Sequence, residues 1–168
     1  LQPTSPYDAI IDKYSLQHGL RPDFVRSFIK TESSGNPKAV GPVNTHGRGS
    51  AKGLMQLLDS TFKEQGGTDP FDPEQNIAAG TKYLAQHMKT FGGDEALAAA
   101  AYYSGAQAVK NAGSVVPSYA QNYVDKIGSG EGETFISPQT GTSMDEPGQP
   151  APLPQPRPIP SLRAPTPK

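Results

Sequence analysis

Between Pro22 and Ser34 the apolar side chains recur with the period of a helix, and a carboxylate falls in line with them. Val25, Phe28 and Ile29 stand at i, i+3 and i+4, and position i+7 of the same stripe is Glu32. Such a stripe faces a core. Pro22 suits the first turn, where its missing N–H costs nothing. The segment Ser33-Ser34-Gly35-Asn36-Pro37 stops the helix directly after the glutamate. A carboxylate in that position has to be paired, neutralised or used. The pattern alone leaves three roles open for Glu32: a buried ion pair, a cap, or a reacting group at a helix end that opens onto a cleft.

The remaining chain reads as further helices. Thr4-Ser5-Pro6 is a cap followed by a first-turn proline, and Tyr7, Ile10, Ile11 and Tyr14 form a stripe that Gly19 closes. From Ser33 to Gly53 the composition turns to Gly, Pro, Ser and Asn, which predicts a long loop of the kind that tends to be functional. A short apolar run, Gly53-Leu54-Met55-Gln56-Leu57-Leu58, follows, and Asp59 offers a cap for a short helix ended by Gly66-Gly67. Asp72 caps and Pro73 starts a longer helix to about Phe91, with Ile77, Leu84, Met88 and Phe91 inward and Ala78, Ala79 and Gly80 permitting close packing. Glu95–Ser104, 106–111 and a segment begun by Pro117 complete the set, and no strand pattern of useful length is found. The expected fold is thus all-α, a helical domain over residues 1–128. Beyond it, residues 129–168 form a Gly- and Pro-rich linker or tail. Ten of the 18 prolines lie between Pro138 and Lys168, and the scarcity of large apolar residues predicts an extended or disordered segment. A spacer is the default for such a tail, and a link to other proteins the alternative.

Composition narrows the function. Fifteen basic and 16 acidic residues give a net charge of −1 without a basic block, which argues against nucleic acid as a partner. With no cysteine there is no disulfide scaffold or thiolate metal site. His18, His46 and His87 lack metal-ligand spacing and read as solvated or loop histidines, so neither metal nor cofactor is expected. Neither a Gly-x-Ser-x-Gly elbow nor a phosphate loop is present, and no apolar run reaches the roughly 20 residues of a membrane span. Opening on Leu1 rather than methionine fits a cleaved leader, a processed precursor or a piece cut from a longer chain. What remains is carboxylate chemistry.

Several segments then fall in a telling order: Glu32-Ser33-Ser34-Gly35-Asn36-Pro37, Gly53-Leu54-Met55-Gln56, Asp72 through Leu84, Ala101-Tyr102-Tyr103-Ser104-Gly105, and Tyr123-Val124. Together they resemble the soluble lytic transglycosylases that cleave bacterial peptidoglycan, over nearly all of residues 5–127. The resemblance implies a lysozyme-like fold of the α+β lysozyme superfamily, mostly helical, with a cleft for glycan strands. It implies Glu32 as catalytic acid and base, with Met55 and Gln56 lining the cleft. Tyr102 and Tyr123 would sit near Glu32, packing on sugars and hydrogen-bonding its carboxylate. Asn76 would hold the start of its helix. The family setting is the bacterial periplasm and envelope, or the phage virion.

Three departures from the family pattern stand out. Tyr103 occupies the place of an asparagine that would face the cleft and contact sugar; Gly41 stands near a usual serine; and the loop to Gly53 is longer than usual. Asp59, Asp69 and Asp72 read as caps and turn residues, which leaves one carboxylate where glycosidases use two. One suffices if the substrate's acetamido oxygen supplies the second group. Glu32 would protonate the leaving oxygen and then take a proton from the sugar's 6-hydroxyl, giving a 1,6-anhydro end. The alternatives are a goose-type lysozyme that hydrolyses the same bond, and a degenerate module that only binds the wall or builds a virion.

Overall fold

In the computed structural model the helical periodicities become helices. Residues 5–43 and 49–129 are described; Thr4, His46, Gly47 and the segment after Ser129, proline-rich tail included, lie outside the described residues. The α-helices are α1 (Asp8–Gln17), α2 (Pro22–Ser33), α3 (Asp59–Glu64), α4 (Pro73–Thr90), α5 (Glu95–Ser104), α6 (Ala106–Asn111) and α7 (Gln121–Ser129), the last preceded by a 3-10 turn at Ser118–Ala120.

Helix α2 is central. Val25, Phe28 and Ile29 are buried, as the stripe requires, and α2 packs against α1 on one side and α7 on the other. Burying each of these side chains is worth about 1.5–3 kcal/mol. That return exceeds the cost of keeping one carboxyl protonated on the same stripe, about 1.4 kcal/mol per pH unit above its ordinary value, so the helix docks in spite of Glu32. Helix α5 lies against α4, α6 and α7 through its run of small residues, with Ala98, Ala99, Ala100 and Ala101 all buried. Ion pairs set the outer faces. Arg26 of α2 donates to Asp8 at 2.8 Å and to Asp12 at 2.6 Å on α1. Arg21 forks onto both oxygens of Glu95 at the start of α5, at 2.8 and 2.7 Å.

Four expectations need correction. The segment between Ser33 and Gly53 is not loop throughout: β1 (Val40–Val43) and β2 (Ser50–Lys52) pair antiparallel, with Val40 opposite Lys52 and Val43 opposite Ser50. Strands of four and three residues, one containing Gly41-Pro42, carry too little alternation to announce themselves. The pairing slips by one residue between Val40 and Val43, at that Gly-Pro step. Second, α1 begins at Asp8, not Pro6, and has no side-chain cap; Ser5 N–H donates to the Asp8 carboxylate at 2.9 Å and Ser5 Oγ accepts from Tyr7 N–H at 3.2 Å. Third, Asp59 does not cap α3 but begins it, and both its carboxylate oxygens accept from Lys52 Nζ, at 2.9 and 2.8 Å. Fourth, His87 is neither solvated nor in a loop. It is buried on the inner face of α4, its ring 4.5 Å from that of Tyr83.

Candidate active site

Glu32 is the last residue but one of α2, and only 4% of its surface is exposed. The helix ends because Ser34 takes a left-handed conformation at φ 52° and Gly35 follows at φ 77°. The carboxylate is thus presented at a terminus but stays inside. Tyr123 reaches it from α7, its hydroxyl donating to Oε1 of Glu32. Burial pushes the Glu32 carboxyl up to about 8, against the smaller opposing effect of the Tyr123 hydrogen bond, which favours the ionised form. Burial first, and the nearby Glu32 second, push the Tyr123 phenol well above its usual range, so it remains a donor. With Oε1 accepting from Tyr123, Oε2 is the oxygen left to carry a proton.

The aromatic surroundings come from three helices. Phe28, one turn before Glu32, meets Tyr102 at 4.6 Å and Tyr123 at 6.0 Å between ring centres, both in edge-type contacts. Tyr103 lies flat on Tyr123, the centres 4.6 Å apart and the planes 27° from parallel. This packing leaves Tyr123 only 7% exposed, while Tyr103 itself is half-buried.

The Gly53–Gln56 turn forms the next wall. Ser33, beside Glu32, donates from Oγ to the Leu54 carbonyl at 2.8 Å. Asn76, fully buried on α4, grips the turn three ways: it accepts from Met55 N–H at 2.7 Å and donates to the carbonyls of Lys52 at 3.1 Å and Pro70 at 2.9 Å. Asn76 therefore clamps the turn; the start of α4 belongs to Asp72, which accepts from Gln75 N–H at 2.8 Å. Gly53 is obligatory here, since it has φ 78° and a Cβ would stand 2.2 Å from Asn76 Nδ2. Gly80 gives Met55 its seat, because a Cβ there would come within 2.4 Å of the Met55 sulfur.

The residues expected at the site therefore separate. Glu32, Tyr123 and Tyr103 come together. Met55, Gln56 and Tyr102 are turned inward. Met55 is wholly buried against α4. Gln56, at φ 48°, spends its amide on the carbonyls of Gly53 at 2.9 Å and Ala39 at 3.2 Å. Tyr102 is 1% exposed and donates its hydroxyl to the Met55 carbonyl at 2.7 Å. Their side chains brace the walls around Glu32 rather than line an open cleft. Ser33 was missed by sequence reading; its place directly after Glu32, at a helix end, was the available signal.

A profile of the Transglycosylase SLT domain matches residues 9–124. The chain belongs to the SLT transglycosylase family. It is 36% identical over 129 residues to the transglycosylase of Enterobacteria phage PRD1, a match that covers 76% of this chain and 46% of that one. It is 39% identical over 82 residues to the membrane-bound lytic murein transglycosylase F of Desulfosudis oleivorans, covering 49% of this chain and 17% of that protein. The chain thus spans less than half the length of these relatives. Among solved structures, the 70 kDa soluble lytic transglycosylase of Escherichia coli superposes with a TM-score of 0.65 at 25% identity, over 82% of this chain and 26% of that one. The SLT domain therefore has the expected lysozyme-like, mostly helical fold. Among the described residues no helix is long and apolar enough to cross a membrane.

Proposed function

We propose that this domain cleaves the β-1,4 bond between N-acetylmuramic acid and N-acetylglucosamine in peptidoglycan, as a lytic transglycosylase that leaves 1,6-anhydromuramic ends. The observation that carries the reading is a single glutamate, Glu32, buried to the point of holding its proton at neutral pH and met by one phenol. The carboxylates that might have served as a second catalytic group are spoken for: Asp59 by Lys52, Asp72 by the cap of α4, Asp69 by the N–H of Phe71 at 2.9 Å.

Protonated Glu32 donates to the leaving glycosidic oxygen as the bond to the anomeric carbon breaks. The substrate's acetamido oxygen stabilises the positive carbon. Ionised Glu32, now favoured by the Tyr123 hydrogen bond, takes the proton of the sugar's own 6-hydroxyl, whose oxygen closes on the same carbon. One proton leaves the glutamate and one returns, so the group ends as it began. Relatives named for murein and for a phage support action on the bacterial wall, in an envelope or from a virion.

Mass spectrometry of glycan fragments released from purified sacculi tests this. The expected products end in 1,6-anhydromuramic acid, lighter by one water than reducing ends. Reducing ends would identify a lysozyme-type hydrolase, and intact sacculi a module that binds without cutting.

A further inference from the structure

We infer that Tyr103 is a positioning residue for Glu32, acting through the face of Tyr123. The inference rests on the proposed role of Glu32 as the acid. Tyr123 donates its hydroxyl to Glu32, and its ring is held on two sides. Phe28 of α2 stands nearly perpendicular to it at 6.0 Å, and Tyr103 of α5 offers a face at 4.6 Å. Phe28 is wholly buried and cannot retreat. Tyr103 is the half-buried side of this clamp, so it stands between Tyr123 and solvent. A stacked aromatic pair contributes beyond its burial, which holds the ring on the carboxylate rather than letting it swing away. The tyrosine therefore serves the acid itself.

Around Glu32 the ionisable groups among the described residues are the phenols of Tyr102 on α5 and Tyr123 on α7, with Tyr103 behind the latter. Burial raises the carboxyl more than the Tyr123 bond lowers it. Opening the outer face of Tyr123 admits water, and hydration of the carboxylate then outweighs loss of the phenol. The Glu32 titration moves to lower pH.

Carbon-13 NMR of glutamate-labelled protein follows that titration without requiring activity, with Glu32→Gln identifying the signal. Tyr103→Ala is expected to lower the Glu32 midpoint by about one unit, while Tyr103→Phe, which keeps the ring, leaves it in place. If Tyr103→Ala does not fold, Tyr103→Leu keeps the bulk without an aromatic face and serves instead. On glycan strands the ring-less variant is expected to lose about tenfold in kcat, the low end of general acid catalysis, with KM near the parent's. An unmoved titration overturns the inference, as does a rise in KM alone, which would make Tyr103 a sugar contact. Activity retained in Glu32→Gln would defeat the functional reading, while the NMR shift would still report whether Tyr103 positions the carboxyl.

Discussion

At the scale of single residues, the chemistry reduces to where one proton sits. Glu32 has a folded-state value of about 8 and an ordinary value of 4.5, so the folded chain binds the extra proton more tightly than the unfolded chain. The stability associated with this group is complete below about pH 4.5 and is lost as pH rises towards 8. Glu32→Gln has no proton to lose. It is therefore expected to melt about 5 °C or more above the parent at pH 7, with the gain fading towards pH 4; thermal melts across that range check it. A variant that melts lower at pH 7 would indicate a carboxylate held ionised by a partner. Wall cleavage by the same variant should fall by at least about a hundredfold. Tyr123→Phe removes the one hydrogen bond that favours the ionised form. A bond to a charged group is worth about 1.5–3 kcal/mol, so the proton-donation step, which forms that carboxylate, should slow by about ten- to a hundredfold. The alkaline limb of the pH–rate profile should move to higher pH.

At the scale of elements, the site depends on a turn held by α4. Gly53→Ala places a Cβ against Asn76 and Pro70 at a positive φ, and Asn76→Ala strands the N–H of Met55 and two carbonyls. Each is expected to cost about 2–4 kcal/mol, measured by urea denaturation. The helices that deliver Glu32 and Tyr123 were legible in the sequence, because their apolar stripes and the proline at the head of α2 are local signals. The turn's fastening was not: Asn76 reads as a helix-start residue until the chain brings it against Met55. The hairpin was illegible for a related reason, since β1 and β2 are defined by each other rather than by alternation within either. Tyr102, Met55 and Gln56 were expected beside Glu32 from the resemblance alone, which carries no orientation. Helical spacing fixes which face a residue shares, and only packing decides whether a tyrosine hydroxyl spends itself on a backbone carbonyl, as Tyr102 does on Met55. The Tyr103–Tyr123 stack joins α5 to α7 and has no signature in either segment.

At the scale of the whole molecule, the domain boundary near residue 128 is a proposal from composition, and a truncation tests it. Removing everything after Ile136 should leave the melting temperature within about 5 °C of the parent and wall cleavage nearly unchanged. A larger fall would mean that the proline-rich segment contributes to the domain. Everything else converges on Glu32, brought inside by the stripe of α2, met by Tyr123 from α7, and walled by a turn that α4 holds shut. The most direct measurement of that convergence is the titration of the glutamate side-chain carboxyl carbons by carbon-13 NMR in the unmodified chain. The account predicts one signal with a midpoint near 8 that vanishes in Glu32→Gln. Midpoints for every glutamate in the ordinary range of about 4–5 would contradict it.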